Sequence, residues 1–354
     1  MDVNQASNQS NQEKVTTIEF SGKSGEFFGI WIVNILLSII TLGIYSAWAT
    51  VRTKSYFYGN TKIDGHAFSY LAKPLQILKG RLLAIAFFVV YSIIANFYPL
   101  AGIGLAIVLL FLTPWLIIQS LRFSNRMTSY RNVRFDFHGT YGQAFITFIL
   151  LPILGVLTAY LAMPWVVKKM NQYVLSNTSY GDQQLTTFIE TKEYYLAVLY
   201  SILVTIVGVG AIAAIIFLAT GIASMTALSA ISGITGVLLF ASYFILMSLI
   251  NAVYTVKIRN HMFNNTEFEN LAKFRSTMTL VPYATLVLTN LLAIVFTLGL
   301  AYPWTAIRSS RYAASCTQVK LHENADSVVD TMGEQKSAFG DEAADVFDVG
   351  VSAF

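Results

Sequence analysis

Apolar residues in this chain come in long blocks rather than in short alternating or helical periods. Five runs lack Asp, Glu, Lys and Arg altogether: 27–51, 82–121, 137–167, 194–256 and 276–307. A hydrocarbon core of about 30 Å is crossed by about 20 apolar helical residues. The second run breaks at Pro99, Gly102 and Gly104, and the fourth breaks at small residues around 220–232, so each holds two segments. The pattern predicts an all-α polytopic membrane protein with seven apolar helical segments.

The stretches between the runs are of another kind. They read as short extended or hairpin segments in basic loops. In Lys62-Ile63-Asp64-Gly65-His66-Ala67, Asp-Gly suits a tight turn. Residues 1–15 are polar, with no apolar core and cleavage site of a signal peptide, so the first apolar run is expected to stay in the protein. Residues 321–354 hold eight acids and one base, and composition predicts a disordered acidic tail there. The membrane domain is expected between them, over 16–320.

The domain repeats itself five times. Trp48, Trp115, Trp165 and Trp304 end apolar runs, three of them after proline, and Val253 takes the place in the fourth unit. Counting from these positions, +4 is Arg52, Gln119, Lys169, Lys257 and Arg308. Position +8 is Tyr56, Phe123, Tyr173, His261 and Tyr312. Position +12 is Asn60, Met127, Asn177, Asn265 and Cys316, and +13 is always threonine: Thr61, Thr128, Thr178, Thr266 and Thr317. Phe20, Phe68, Phe137, Phe188 and Phe274 open the units. Units one and five also share Thr41-Leu42-Gly43-Ile44 with Thr297-Leu298-Gly299-Leu300, and Asn34 with Asn290, each 14 residues before the Trp.

Positions 0, +4, +8 and +12 share one stripe of a helix. Trp and Tyr suit headgroup depth, and Arg or Lys can snorkel to phosphates. The Asn-Thr pair is expected to satisfy the backbone at the helix end. These columns therefore read as interfacial structure, or as a repeated site for lipid headgroups or another ligand. Asn34 and Asn290 could line a polar intramembrane site or bond helices to one another.

The basic residues give the units a side. All 23 Lys and Arg lie outside the five runs, and none lies in the connections inside the long units. If every segment spans, these charges divide between both faces. If the segments 27–48, 143–165 and 281–304 bend back or re-enter, all 23 share one face, which the positive-inside rule favours. Pro152 and Gly155 lie mid-segment in the third unit, as a bend requires.

Composition then removes whole classes of function. The chain of 354 residues is 55% hydrophobic and 12% charged, against about 25% charged in a soluble domain. A soluble enzyme, a disordered scaffold and a nucleic-acid binder do not fit. One cysteine, Cys316, leaves no intrachain disulfide. The four histidines fall in separate loops without metal-ligand spacing, and no phosphate loop occurs. No cofactor, metal or catalytic set is expected, so the chain does not read as an enzyme. With no Asp, Glu, Lys or Arg in the apolar runs, charge-coupled transport lacks its usual machinery.

Several stretches resemble the YjgN-like family of bacterial inner-membrane proteins. They include Glu19-Phe20-Ser21-Gly22, Val33-Asn34, Thr41-Leu42-Gly43-Ile44-Tyr45, Trp48, Tyr56, Asn60, Gly65 and Phe68-Ser69-Tyr70. Asn132-Val133-Arg134-Phe135, Leu151-Pro152-Ile153-Leu154, Ser176-Asn177-Thr178-Ser179-Tyr180-Gly181 and Ala301-Tyr302-Pro303-Trp304 belong to the same pattern. The resemblance spans roughly 17–319 and leaves out the acidic tail. It implies a multi-pass protein of the bacterial cytoplasmic (inner) membrane and brings no activity with it. Two functions remain. One is a structural or partner- and lipid-binding protein, whose partners are the bilayer, anionic headgroups at the basic face and an unidentified protein. The other is an uncoupled channel or carrier for a small neutral or amphiphilic solute.

Overall fold

The computed structural model describes residues 14–221, 228–269 and 271–322. Most of the polar N-terminal stretch and of the acidic C-terminal stretch lies outside them. The first unit runs β1 (Lys14–Thr17), β2 (Glu19–Phe20), α1 (Ser24–Ile40), α2 (Ser46–Gly59), β3 (Thr61–Ile63) and β4 (His66–Tyr70). The second has α3 (Pro74–Phe97), α4 (Pro99–Arg126), β5 (Thr128–Tyr130) and β6 (Val133–Phe137). The third has α5 (Tyr141–Leu157), which includes a π-helical turn at Ile146–Leu150, then α6 (Met163–Ser176), β7 (Thr178–Tyr180) and β8 (Gln183–Thr187). The fourth has α7 (Thr191–Gly221), α8 (Leu228–Asn264), β9 (Thr266–Phe268) and β10 (Ala272–Ser276). The fifth has α9 (Leu280–Phe296), α10 (Tyr302–Ser315) and β11 (Thr317–Leu321).

The strands overturn the all-α expectation. Among the described residues eleven of them form one antiparallel sheet in the order β1-β11-β10-β9-β8-β7-β6-β5-β4-β3-β2. Its two ends are the same piece of chain, since only Ile18 separates β1 from β2. β1 pairs with β11, the Ile18 N–H bonds Thr317 O at 3.0 Å, and β2 pairs with β3. The sheet therefore curls into a nearly closed barrel, which leaves almost no free edge. Four hairpins are contiguous, and pairing of Lys14–Thr17 with β11 supplies the fifth. Lys14, Val15 and Leu321, grouped with the tails by composition, are strand residues.

Each strand is two to five residues long, too short to show a period-two pattern. The hairpins instead read as loops, and only their mutual pairing makes them a sheet. The turns are encoded locally. Asp64 and Gly65 have φ of 50° and 78°, and Arg131 and Asn132 have φ of 46° and 64°, as two-residue hairpin turns require.

Equivalent junctions join neighbouring hairpins: Thr61 faces Phe20, Thr128 faces Tyr70, Thr178 faces Phe137, Thr266 faces Thr187 and Thr317 faces Ser276. Phe68 and Phe274 thus sit two residues before the place of Phe20, and Phe188 one after it. The opening phenylalanines do not share one structural position. Inside the barrel, Ile63, Val133, Tyr180, Leu185, Phe268 and Val319 form a buried cluster, with Ile18, Phe68, Tyr130, Phe135 and Phe274 packed on it. Tyr130 Oη donates to Ile63 O at 2.8 Å and Tyr180 Oη to Tyr130 O at 2.9 Å, so both phenols are satisfied.

The seven apolar segments are of two kinds. Among the described residues, four helices are long and apolar enough to cross a membrane: Pro74–Phe97, Pro99–Arg126, Thr191–Ala214 and Leu239–Asn264. Three are shorter, Ser24–Ile40, Tyr141–Leu157 and Leu280–Phe296. Seventeen residues of α1 give about 25 Å, less than the hydrocarbon thickness of about 30 Å. Both ends of each short segment lead into strands of the same barrel. Each must return to the side from which it left.

The turns at the far ends of the short helices are built alike. Thr41 Oγ1 donates to Leu37 O at 2.7 Å and accepts from the Tyr45 N–H at 2.9 Å. Thr297 does the same with Ala293 and Ala301, and Thr158 with Leu154 and Ala162. Gly43 and Gly299 hold φ near 90°, and Tyr160 holds 66° at the matching place in unit three. Their N–H groups bond carbonyls five residues back, at Ser38, Ile294 and Gly155. Threonine thus stitches one helix to the next and satisfies the turn internally, as hydrocarbon requires. Leu42 and Leu298 are 94% exposed at these tips. Such apolar tips belong in lipid.

Candidate functional site

The repeated helix of each unit, α2, the second half of α4, α6, the second half of α8, and α10, leads directly into the barrel. Trp48, Trp115 and Trp165 are half-buried and Trp304 is exposed. At +4 the units diverge. Arg308 donates to Thr289 Oγ1 and, at 3.2 Å, to Asn290 Oδ1, and lies over the Trp304 ring. Arg52 turns away to Tyr45 Oη at 3.0 Å. Lys257 pairs with Glu193 at 2.8 Å and lies over the Tyr200 ring. Gln119 and Lys169 are half-buried.

The +8 column does one job in four units. Each side chain bonds the backbone of the residue before its own unit's first helix. Tyr56 Oη donates to Lys23 O and accepts from the Lys23 N–H, at 3.0 and 2.7 Å. Tyr173 and Tyr312 donate to Thr140 O and Thr279 O, each at 3.3 Å. His261 Nε2 accepts from the Glu190 N–H at 2.8 Å. Phe123 has no polar atom, and in that unit Gln76 Oε1 takes the Lys73 N–H at 3.0 Å. In those four units the column pins the repeated helix to the start of its unit.

The two following columns close the helix. Asn60, Asn177 and Asn265 donate from Nδ2 to the carbonyl four residues back, at 2.7–2.8 Å. Thr61, Thr128, Thr178 and Thr317 donate to their own carbonyls four residues back at 2.7–3.0 Å. Thr266 pairs instead with Thr187 Oγ1 at 3.1 Å. These bonds satisfy carbonyls that a helix end leaves free and turn the chain into the strand.

Asn34 and Asn290 face the repeated helix of their own unit. Asn290 Nδ2 donates to Ser309 Oγ at 2.9 Å, and its Oδ1 is taken by Arg308. Asn34 Nδ2 reaches Ala49 O and Thr53 Oγ1, each at 3.4 Å, and its buried Oδ1 has no partner among the described residues. The two asparagines match in sequence and differ in what completes them.

Sequence reading did not single out Arg81 or Asp136, since neither belongs to a repeated column. Arg81 enters from α3 and donates to Ser46 and Thr50 on α2. Asp136, on β6, takes two bonds from Arg126 at 3.0 and 3.2 Å and the Phe137 N–H at 2.7 Å. Burial acts to raise the Asp136 carboxyl, but the Arg126 bonds, the Phe137 N–H and the nearby charges outweigh it and hold it below the usual range. A depressed acid contributes stability above its unfolded value, about 4, and that contribution fades as pH falls through the folded value. Thermal unfolding in detergent from about pH 6 to about pH 3 should show this loss. Asp136→Asn should start lower and fall less over the same range. An equal fall in both proteins refutes the assignment.

The architecture defines a class: a multi-pass membrane protein whose five units plant one barrel on the basic face. The family described as "Bacterial protein of unknown function (DUF898)" matches residues 15–346. The chain belongs to that family, whose match runs past the barrel into the acidic stretch that the sequence resemblance had left out. The chain is 32% identical over 148 residues to "Inner membrane protein YjgN" of Salmonella typhimurium, covering 42% of this chain and 38% of that protein. It is 37% identical over 137 residues to the proteins of that name from Escherichia coli O157:H7 and K12, covering 38% of this chain and 34% of theirs. The matched stretch thus spans little more than a third of each relative. No solved structure matches. The protein is a multi-pass protein of the bacterial inner membrane.

Proposed function

We propose that the protein is a non-catalytic membrane scaffold that grips the inner leaflet through its five repeated helices and binds anionic lipid at its basic face. The observation that carries this reading is the use made of the repeated polar groups. Asn60, Asn177, Asn265 and the threonines cap helices, the +8 side chains pin helix starts, and Asn290 is closed by Arg308. None of these groups is spent on lining a path. The barrel below the membrane is filled with Val133, Tyr180, Phe268 and Val319. A route along the barrel axis would have to open this packed core, whose apolar contacts resist opening.

The test is solute flux through vesicles that carry the purified full chain. Glycerol-driven swelling, read by light scattering, should match that of protein-free vesicles of the same lipid. Faster, saturable swelling would overturn the scaffold reading in favour of an uncoupled channel or carrier. Crosslinking in native membranes should retrieve anionic phospholipid or a stoichiometric protein. A chain that repeatedly comes away with neither is no binding scaffold.

A further inference from the structure

Unit one carries an open version of the polar cluster that unit five closes. In unit five, Thr289 and Asn290 hold the Arg308 guanidinium between them. In unit one the residue before the asparagine is Val33, which offers Arg52 no hydroxyl. Arg52 bonds Tyr45 instead, and Asn34 Oδ1 is left unpartnered on a residue only 5% exposed. That asparagine lines a groove of about 780 Å³ between α1, α2 and Tyr302.

Two walls define what the groove can take. Trp31, Ile35 and Ile39 supply apolar surface continuous with the lipid-facing tip. Opposite them stand two cations. Arg81 uses its donors on the neutral hydroxyls of Ser46 and Thr50, and Lys54 lies over the Tyr70 ring. Neither is paired with a carboxylate among the described residues. A guanidinium has five N–H donors, so Arg81 has donors to spare. Cations held against apolar surface call for an anion.

We propose that this groove binds one anionic phospholipid with a free hydroxyl on its headgroup, of the phosphatidylglycerol kind. The phosphate meets Arg81 and Lys54, a headgroup hydroxyl donates to Asn34 Oδ1, and an acyl chain lies along Trp31, Ile35 and Ile39. A phosphate diester alone has no donor for Asn34. An ethanolamine headgroup has a donor, but its ammonium would meet two like charges. The inference rests on the lipid-binding reading above and names the site and the lipid class.

The test measures lipid retained by the full chain, purified in detergent with phosphatidylglycerol or phosphatidylcholine and weighed intact by mass spectrometry. Wild type should keep one phosphatidylglycerol and no phosphatidylcholine. Arg81→Gln should lower that retention about tenfold, as loss of a charge-assisted bond does. Val33→Thr rebuilds the unit-five cluster, draws Arg52 onto Asn34 and should also lower retention in a folded protein. Arg308→Gln, in the closed unit, should leave it unchanged. Equal retention of both lipids, or undiminished phosphatidylglycerol in both Arg81→Gln and Val33→Thr, overturns the site. Displacement of the lipid by soluble glycerol phosphate at comparable concentration would show a free-phosphate site and overturn it too. If phosphatidylglycerol is kept but insensitive to these substitutions, this groove fails while the lipid-binding scaffold stands. Saturable glycerol flux would sink the scaffold itself.

Discussion

Val319→Asp should cost on the order of 4 kcal/mol, the penalty of an unpaired charge in a core, whereas Val15→Asp should cost almost nothing. The two valines lie on the paired strands that close the barrel, Val15 on β1 and Val319 on β11. Val319 is 1% exposed and packs with Val133, Phe268 and Phe274, while Val15 is 54% exposed. A carboxylate at 319 must either lose its water without a partner or bind a proton. A domain stable by about 5–15 kcal/mol would lose much of its margin. Thermal unfolding of the detergent-purified proteins measures the difference. Similar unfolding temperatures for the two variants would mean that the sheet does not close on a packed interior.

Cysteine accessibility should separate tips that return from helices that cross. In a Cys316→Ser background, Leu42→Cys and Leu298→Cys mark the tips of units one and five, and Leu100→Cys marks the connection between α3 and α4. All three leucines are more than 80% exposed on the protein. A membrane-impermeant maleimide applied to the periplasmic face should modify Leu100→Cys about tenfold faster than either tip position, because a thiol in hydrocarbon meets no aqueous reagent. A lipid-soluble maleimide should reach the tips. Rapid modification of Leu42→Cys from the periplasm would require α1 to cross the membrane. The common barrel at both ends of the unit forbids that.

These two experiments probe features that were unequally legible in the sequence. The five-fold repeat was open to inspection, because the threonine column and the aromatic column recur at fixed spacing. Charge favoured a common side for the units, since every base lies outside the apolar runs and none lies in the connections inside the long units. The tip of unit three stayed hidden. Thr158-Ala159-Tyr160-Leu161 adopts the turn of Thr41-Leu42-Gly43-Ile44 with tyrosine at the positive φ where the others have glycine. The role of the +8 column was invisible for a similar reason. A tyrosine at headgroup depth and a tyrosine that bonds a distant N-cap carry the same letter.

The division between the two kinds of information is a division of range. Transfer of apolar residues from water, placement of cations and the capping of a helix by Asn-Thr are decided within a turn or two of chain, so residue order alone showed the number of units and favoured one side for them. The barrel depends on contacts between units. A strand of three residues has no preference strong enough to announce itself, and residues 14–18 become the closing strand only by meeting residues 317–321 across nearly the whole chain. The same holds for Asn34 and Asn290. Their identity and spacing match, and only the packed structure, in which Thr289 and Asn290 hold Arg308 while Arg52 turns to Tyr45, closes the Asn290 amide and leaves Asn34 Oδ1 without a partner among the described residues.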